Sequence, residues 1–204
     1  MTQQAPRHSV CPWWIGFFLI SPIRRWLQDP DAIIAPYVKE GMTVLEIGPG
    51  MGFFSLPLAR RVGSRGRVIC VDIQEKMLRT LQKRAARAGL GARITTVVAT
   101  DDSLQLDRYR ETADFTLAFA VVHEVADKGA LFAQIRRAMK NGGLLLLSEP
   151  TGHVTEDDLA GTLALARENG FSVDRAVEIK HGISRVLRKD EGTRADGAAR
   201  MRAE

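Results

Sequence analysis

Three glycines at every second position, Gly48, Gly50 and Gly52, punctuate the stretch VLEIGPGMGFF (44–54), with Glu46 just before them and Asp72 some distance after. Glycine has no Cβ, so such a turn reverses tightly and lets a ligand lie directly against the backbone. Open α/β sheets bind ligands outside the carboxyl ends of their strands, which is where this turn falls. Asp72 closes the next apolar run, where a carboxylate can accept hydrogen bonds from both hydroxyls of a ribose. The dinucleotide fingerprint G-x-G-x-x-G would need its third glycine at Phe53, so a pyrophosphate cradle fits poorly. A tight connection without ligand is the plain alternative for the glycines, and a strand-end turn residue is the plain alternative for Asp72.

Two further groups of residues carry chemistry. His123 and Glu124 follow the apolar run ADFTLAFA (113–120), and His153 follows GLLLLSE (143–149). A histidine at the mouth of a site can take a proton from a reacting group, or merely shape the pocket. Cys11, Trp13, Trp14 and Phe17 lie in an aromatic arm, CPWWIGFFLISPIRRW. With Phe18 and Trp26, that arm holds five of the thirteen aromatics of the chain.

The elements that must position these residues alternate between strand and helix signals from residue 30 onward, the pattern of a parallel sheet covered on both faces. Strands are expected at 43–48, 67–72, 93–99, 113–120 and 143–149. Asp29-Pro30 reads as a cap and first helical turn of a short helix reaching about Val38. Met77, Leu78, Leu81 and Ala85 form a helical stripe ended by Gly89. Leu131, Ile135, Ala138 and Met139 form another. Thr155 and Asp158 make a capping box for a helix ending at Gly170. A hairpin turning at His181-Gly182 then closes the fold at the sheet edge. The division is thus an arm (1–29), one domain (30–189) and a small, charged tail (190–204) expected to be disordered. The expected class is α/β: a Rossmann-like, doubly wound, mostly parallel sheet with a terminal antiparallel hairpin.

Composition narrows the function classes. A net charge of +5 is spread along the chain, so a nucleic-acid partner is disfavoured. Two cysteines, Cys11 and Cys70, make neither a disulfide framework nor a zinc site, so no metal is expected and a reducing cytoplasm is the default. The apolar core of the arm is about half the roughly twenty residues a membrane span needs.

Taken in order, these motifs resemble those of class I S-adenosylmethionine-dependent methyltransferases, and most closely the type-11 or ubiquinone/menaquinone-biosynthesis-like small-molecule group. Glu46-Ile-Gly48-Pro-Gly50-Met-Gly52 matches every fixed position of the family's first motif. TDDS (100–103) stands where the family places an acid on the adenine amino group, filled by Asp101 or Asp102. FAVVHEV (119–125) resembles the segment lining the methionine end, and MKNGGLLLLSEP resembles the family's helix-turn-strand signature, with Asn141 for the usual proline. The resemblance implies S-adenosyl-L-methionine as cofactor, held by Glu46, the three glycines, Asp72, Ile73, Asp101, Asp102 and Ala120.

It further implies in-line methyl transfer to a small, apolar or aromatic organic acceptor, with His123 and Glu124 at the catalytic end. Cys11, Trp13, Trp14, Phe17 and His153 are the expected acceptor-side residues, the arm folding over the site as a lid. Packing against the sheet or a homodimer partner, and peripheral contact with a membrane surface, are the alternatives for the arm. For the whole chain, the alternatives are a non-catalytic cofactor-binding or scaffold protein, or a metalloid or RNA methyltransferase.

Overall fold

The computed structural model describes residues 28–191, so the aromatic arm through residue 27 and the tail from 192 lie outside the described residues. Helix α1 (Pro30–Ile34) opens as expected, with the Asp29 carboxylate accepting from the Asp31 amide at 3.0 Å. It stops short of Val38. Pro36 has no N–H to give to the carbonyl one turn back, and its ring clashes there, so the helix cannot continue.

The remaining elements are β1 (Thr43–Ile47), α2 (Ser55–Arg61), β2 (Arg67–Asp72), α3 (Glu75–Arg87), β3 (Ile94–Val98) and β4 (Ala113–Phe119). After them come α4 (Lys128–Ala138), β5 (Met139–Pro150), α5 (Glu156–Glu168), β6 (Phe171–Ile179) and β7 (Gly182–Lys189). The seven strands lie in the order β3-β2-β1-β4-β5-β7-β6. β1 pairs in parallel with both β2 and β4, so the strand order reverses between β1 and β4. That reversal opens a crevice at the carboxyl ends of these strands.

Strands buried on both faces read as almost unbroken apolar runs, as β1, β2 and β4 do. Alternate residues feed two cores. Val44, Val68 and Leu117 pack with Ile34, Leu58 and Leu81 under α1–α3, and Leu45, Ile69 and Leu145 pack with Phe132, Ile135 and Leu163 under α4 and α5. The link from β3 to β4 carries no α-helix; Leu104, Leu106 and Tyr109 from this loop cover the second core instead.

Two further features differ in detail from expectation. β5 begins at Met139 rather than Gly143, because Met139 already pairs with Ala113 ahead of a bulge. The hairpin does lie at the sheet edge, but its second strand is interior: β7 sits antiparallel between β5 and β6. The capping box is present, with the Thr155 hydroxyl accepting from the Asp158 amide at 3.2 Å and the Asp158 carboxylate accepting from the Thr155 amide at 3.0 Å. Thr155→Ala therefore lowers unfolding stability by about 1 kcal/mol in chemical denaturation.

Candidate cofactor and acceptor site

All three motif glycines adopt positive φ: 67° at Gly48, 53° at Gly50 and 89° at Gly52. Their surroundings differ. A Cβ on Gly48 would lie 2.6 Å from Cγ2 of Val121, and one on Gly52 would collide with Leu81. A Cβ on Gly50 would meet nothing within 4 Å. The outer glycines therefore allow the turn to pack, while the central one leaves backbone facing open space.

Asp72 ties this turn to the end of β2. One carboxylate oxygen accepts from the Gly50 amide at 3.2 Å and the other from the Gln74 amide at 2.8 Å. A carboxylate oxygen accepts more than one hydrogen bond, so both can still receive ribose hydroxyls. Burial pushes the Asp72 carboxyl above its ordinary value, against the opposing pull of these backbone bonds.

Glu46 is buried on β1, opposite Cys70 of β2. It accepts from the Ser55 hydroxyl at 2.6 Å, and the Cys70 thiol lies 3.5 Å from the same oxygen. Burial pushes its carboxyl up to about 7 from an ordinary 4.5, outweighing these hydrogen bonds. Between those values the unfolded chain has released a proton that the folded chain retains. Stability accordingly falls as pH rises from 4.5 to about 7, by on the order of 3 kcal/mol, and levels off above. Glu46→Gln keeps an acceptor for Ser55 and flattens this profile, which denaturation of the ligand-free protein from pH 5 to 8 measures.

A second cluster occupies the carboxyl ends of β4 and β5. The chain after β4 makes a short 3₁₀ turn, Val122–Glu124, that presents His123. Nδ1 of His123 is hydrogen-bonded to one oxygen of Glu149, whose other oxygen accepts from the Val122 amide at 2.8 Å. Glu149 is only 2% exposed. The His153 ring stacks on His123 with centroids 5.6 Å apart, and a Glu124 oxygen stands 4.0 Å from His123 Nε2. The hydrogen bond to Glu149 holds the His123 imidazole above its ordinary value, with burial opposing.

The structure thus brings His123, Glu124 and His153 together, and adds Glu149, which sequence reasoning missed. The glycine turn and this cluster meet through Gly48 and Val121. Ala120, at φ 55°, turns the chain here and donates its amide to the Ser148 carbonyl at 2.7 Å. Ile73 is 41% exposed beside Asp72, an apolar side chain with room for a flat partner. Asp101 and Asp102 are both exposed after β3, but Asp102 accepts from the Thr100 hydroxyl at 3.2 Å. Cys11, Trp13, Trp14 and Phe17 fall outside the described residues. Among the described residues, no group of three or more His, Cys, Asp or Glu gathers as a metal site, and no helix is long and apolar enough to cross a membrane.

Residues 38–191 match the family described as methyltransferase domain. The chain belongs to that family. Its fold and motif order are those of the class I S-adenosylmethionine-dependent methyltransferases, related to the ubiquinone-biosynthesis group. It is 34% identical over 113 residues to a ubiquinone/menaquinone biosynthesis C-methyltransferase of Marinomonas sp., covering 55% of this chain and 44% of the relative. It is 33% identical over 144 residues to a ubiquinone biosynthesis O-methyltransferase of Caulobacter vibrioides, covering 71% and 54%. The methyltransferase chain therefore spans about half the length of these curated relatives. Among solved structures, it superposes on a SAM-dependent methyltransferase of Aquifex aeolicus with a TM-score of 0.78, at 24% identity over 88% of this chain and 98% of that one.

Proposed function

We propose that this chain transfers a methyl group from S-adenosylmethionine to a small, apolar or aromatic organic acceptor. The observation that carries the reading is the open backbone at Gly50, held by Asp72 at the β1/β4 crevice beside an exposed Ile73. When bound, the cofactor supplies a methyl already activated on a sulfonium, so the protein's task is alignment and exclusion of water. Asp72 receives the ribose hydroxyls through the lone pairs its backbone partners leave. Ile73 covers one face of the adenine. Asp101 or Asp102 takes the adenine amino group, both being exposed after β3, and the one hydroxyl that Asp102 accepts from Thr100 leaves it further acceptor sites. Gly48, Gly50, Gly52, Glu46 and Ala120 shape the methionine end, and His123, Glu124 and His153 border the acceptor.

The relatives' names support an organic ring as acceptor, since one methylates carbon and the other oxygen in quinone biosynthesis. Trp13, Trp14 and Phe17 supply apolar surface suited to the same kind of acceptor, with Cys11 beside them. Trp13→Ala with Trp14→Ala then raises the acceptor KM about tenfold while leaving cofactor affinity unchanged; steady-state kinetics on the full chain measure both.

Incubation of the full chain with methyl-labelled S-adenosylmethionine and a panel of phenols and quinols tests the reading. The expected result is label in a small organic product together with S-adenosylhomocysteine. Label entering RNA or arsenite instead contradicts it.

A further inference from the structure

The pairing of β4 with β5 sets Phe119 beside Ser148, so the residues that follow, Val122–His123 and Glu149, come together although far apart in sequence. Glu149 holds this turn with both oxygens, one on the Val122 amide and one on His123 Nδ1. A carboxylate accepts and does not donate, so the bonded Nδ1 carries the proton and Nε2 keeps its lone pair. Stacking of His153 fixes the plane of the ring from the turn after β5.

We propose that Glu149 is a positioning residue that makes His123 Nε2 a proton acceptor, and that the methyl acceptor is accordingly a phenolic or enolic hydroxyl. This rests on the methyltransferase reading above. The acceptor's O–H proton passes to Nε2 while an oxygen lone pair forms the bond to the methyl carbon. The sulfur–methyl bond breaks with its electron pair left on sulfur, giving a neutral thioether. The imidazolium that results lies against the Glu149 carboxylate. A thiolate, arsenite or a tertiary amine has no such proton to lose at the attacking atom, so this pair would do nothing for it.

Four groups act on the His123 ring: Glu149 from β5 and Glu124 from its own turn favour its charged form, Lys128 from α4 disfavours it, and His153 stacks on it. Glu149→Gln is the informative variant. Gln keeps an oxygen for the Val122 amide, so the turn survives, but its amide group donates to Nδ1 and forces the proton onto Nε2. A Glu149 that only held the Val122 amide would leave the tautomer indifferent to this change.

The chain has four histidines, so nitrogen-correlated NMR of the full-length protein, with His123 assigned by its loss in His123→Gln, reads the tautomer directly. The expected result is an Nδ1–H ring in the native protein that titrates above an ordinary histidine, and an Nε2–H ring with a lower pKa in Glu149→Gln. A native Nε2–H ring, or a titration unmoved by Glu149→Gln, overturns the pair.

A competition among 3,4-dihydroxybenzaldehyde, benzenethiol, N,N-dimethylglycine and arsenite reads the acceptor class. The catechol should take the label, and His123→Gln should slow this about 100-fold with cofactor affinity unchanged. Preference for the thiol, amine or arsenite, or a catechol left unlabelled while the cofactor binds, overturns the hydroxyl assignment. Absence of cofactor binding defeats the methyltransferase reading itself, which the tautomer measurement does not depend on.

Discussion

Asp72→Ala should weaken S-adenosylmethionine binding by at least about 100-fold while costing the ligand-free protein about 1 kcal/mol. The asymmetry follows from where the carboxylate stands. In the free protein, it serves two backbone amides at a partly open strand end, where water can replace it. In the complex, it would also accept two ribose hydroxyls, and a hydrogen bond to a charged group contributes about 1.5–3 kcal/mol. Losing a pair of them amounts to roughly two to four powers of ten in affinity. Asp72→Asn should fall between, since one oxygen remains an acceptor but the amide group now opposes a backbone donor. Calorimetric titration alongside denaturation separates the two quantities. Equal and small effects on both would return Asp72 to the role of an ordinary turn residue.

Gly48→Ala should do the opposite, damaging fold and binding together. A side chain at φ 67° meets the left-handed penalty of about 1–2 kcal/mol. The added methyl would also lie 2.6 Å from Cγ2 and 2.9 Å from Cβ of Val121. Valine is stiff at χ1, so the clash cannot be relieved by a rotamer change and must move the backbone of the turn after β4. Overpacking of this kind costs about 1–3 kcal/mol, for a total of roughly 4 kcal/mol. Because Val121 leads directly to His123, the same shift disturbs the acceptor side. Thermal unfolding and cofactor titration should both report the loss, and Val121→Ala in the same chain should restore only part of it, since the Cβ contact remains.

The sequence made legible what is local and periodic. Glu46, the glycines and Asp72 fall within one β-turn-α-β stretch, where spacing alone fixes which strand end each occupies. Buried parallel strands announced themselves as apolar runs, and Thr155 with Asp158 announced a helix start. Glu149 was hidden because its meaning arises from the register of β4 against β5, which no spacing encodes. The available signal was an acid one residue beyond the unbroken run LLLL, at the carboxyl end of a strand, where a charge must find a partner or face solvent. The early end of α1 was readable in Pro36 and was overrun by the helical pattern around it.

The most direct measurement is a calorimetric titration of the full chain with S-adenosylmethionine, S-adenosylhomocysteine and NADH in parallel. Saturable one-to-one binding of both sulfur compounds, weakened at least about 100-fold in Asp72→Ala, with no heat from NADH, is the predicted result. A folded native chain that binds neither sulfur compound, or that binds NADH instead, would contradict the account.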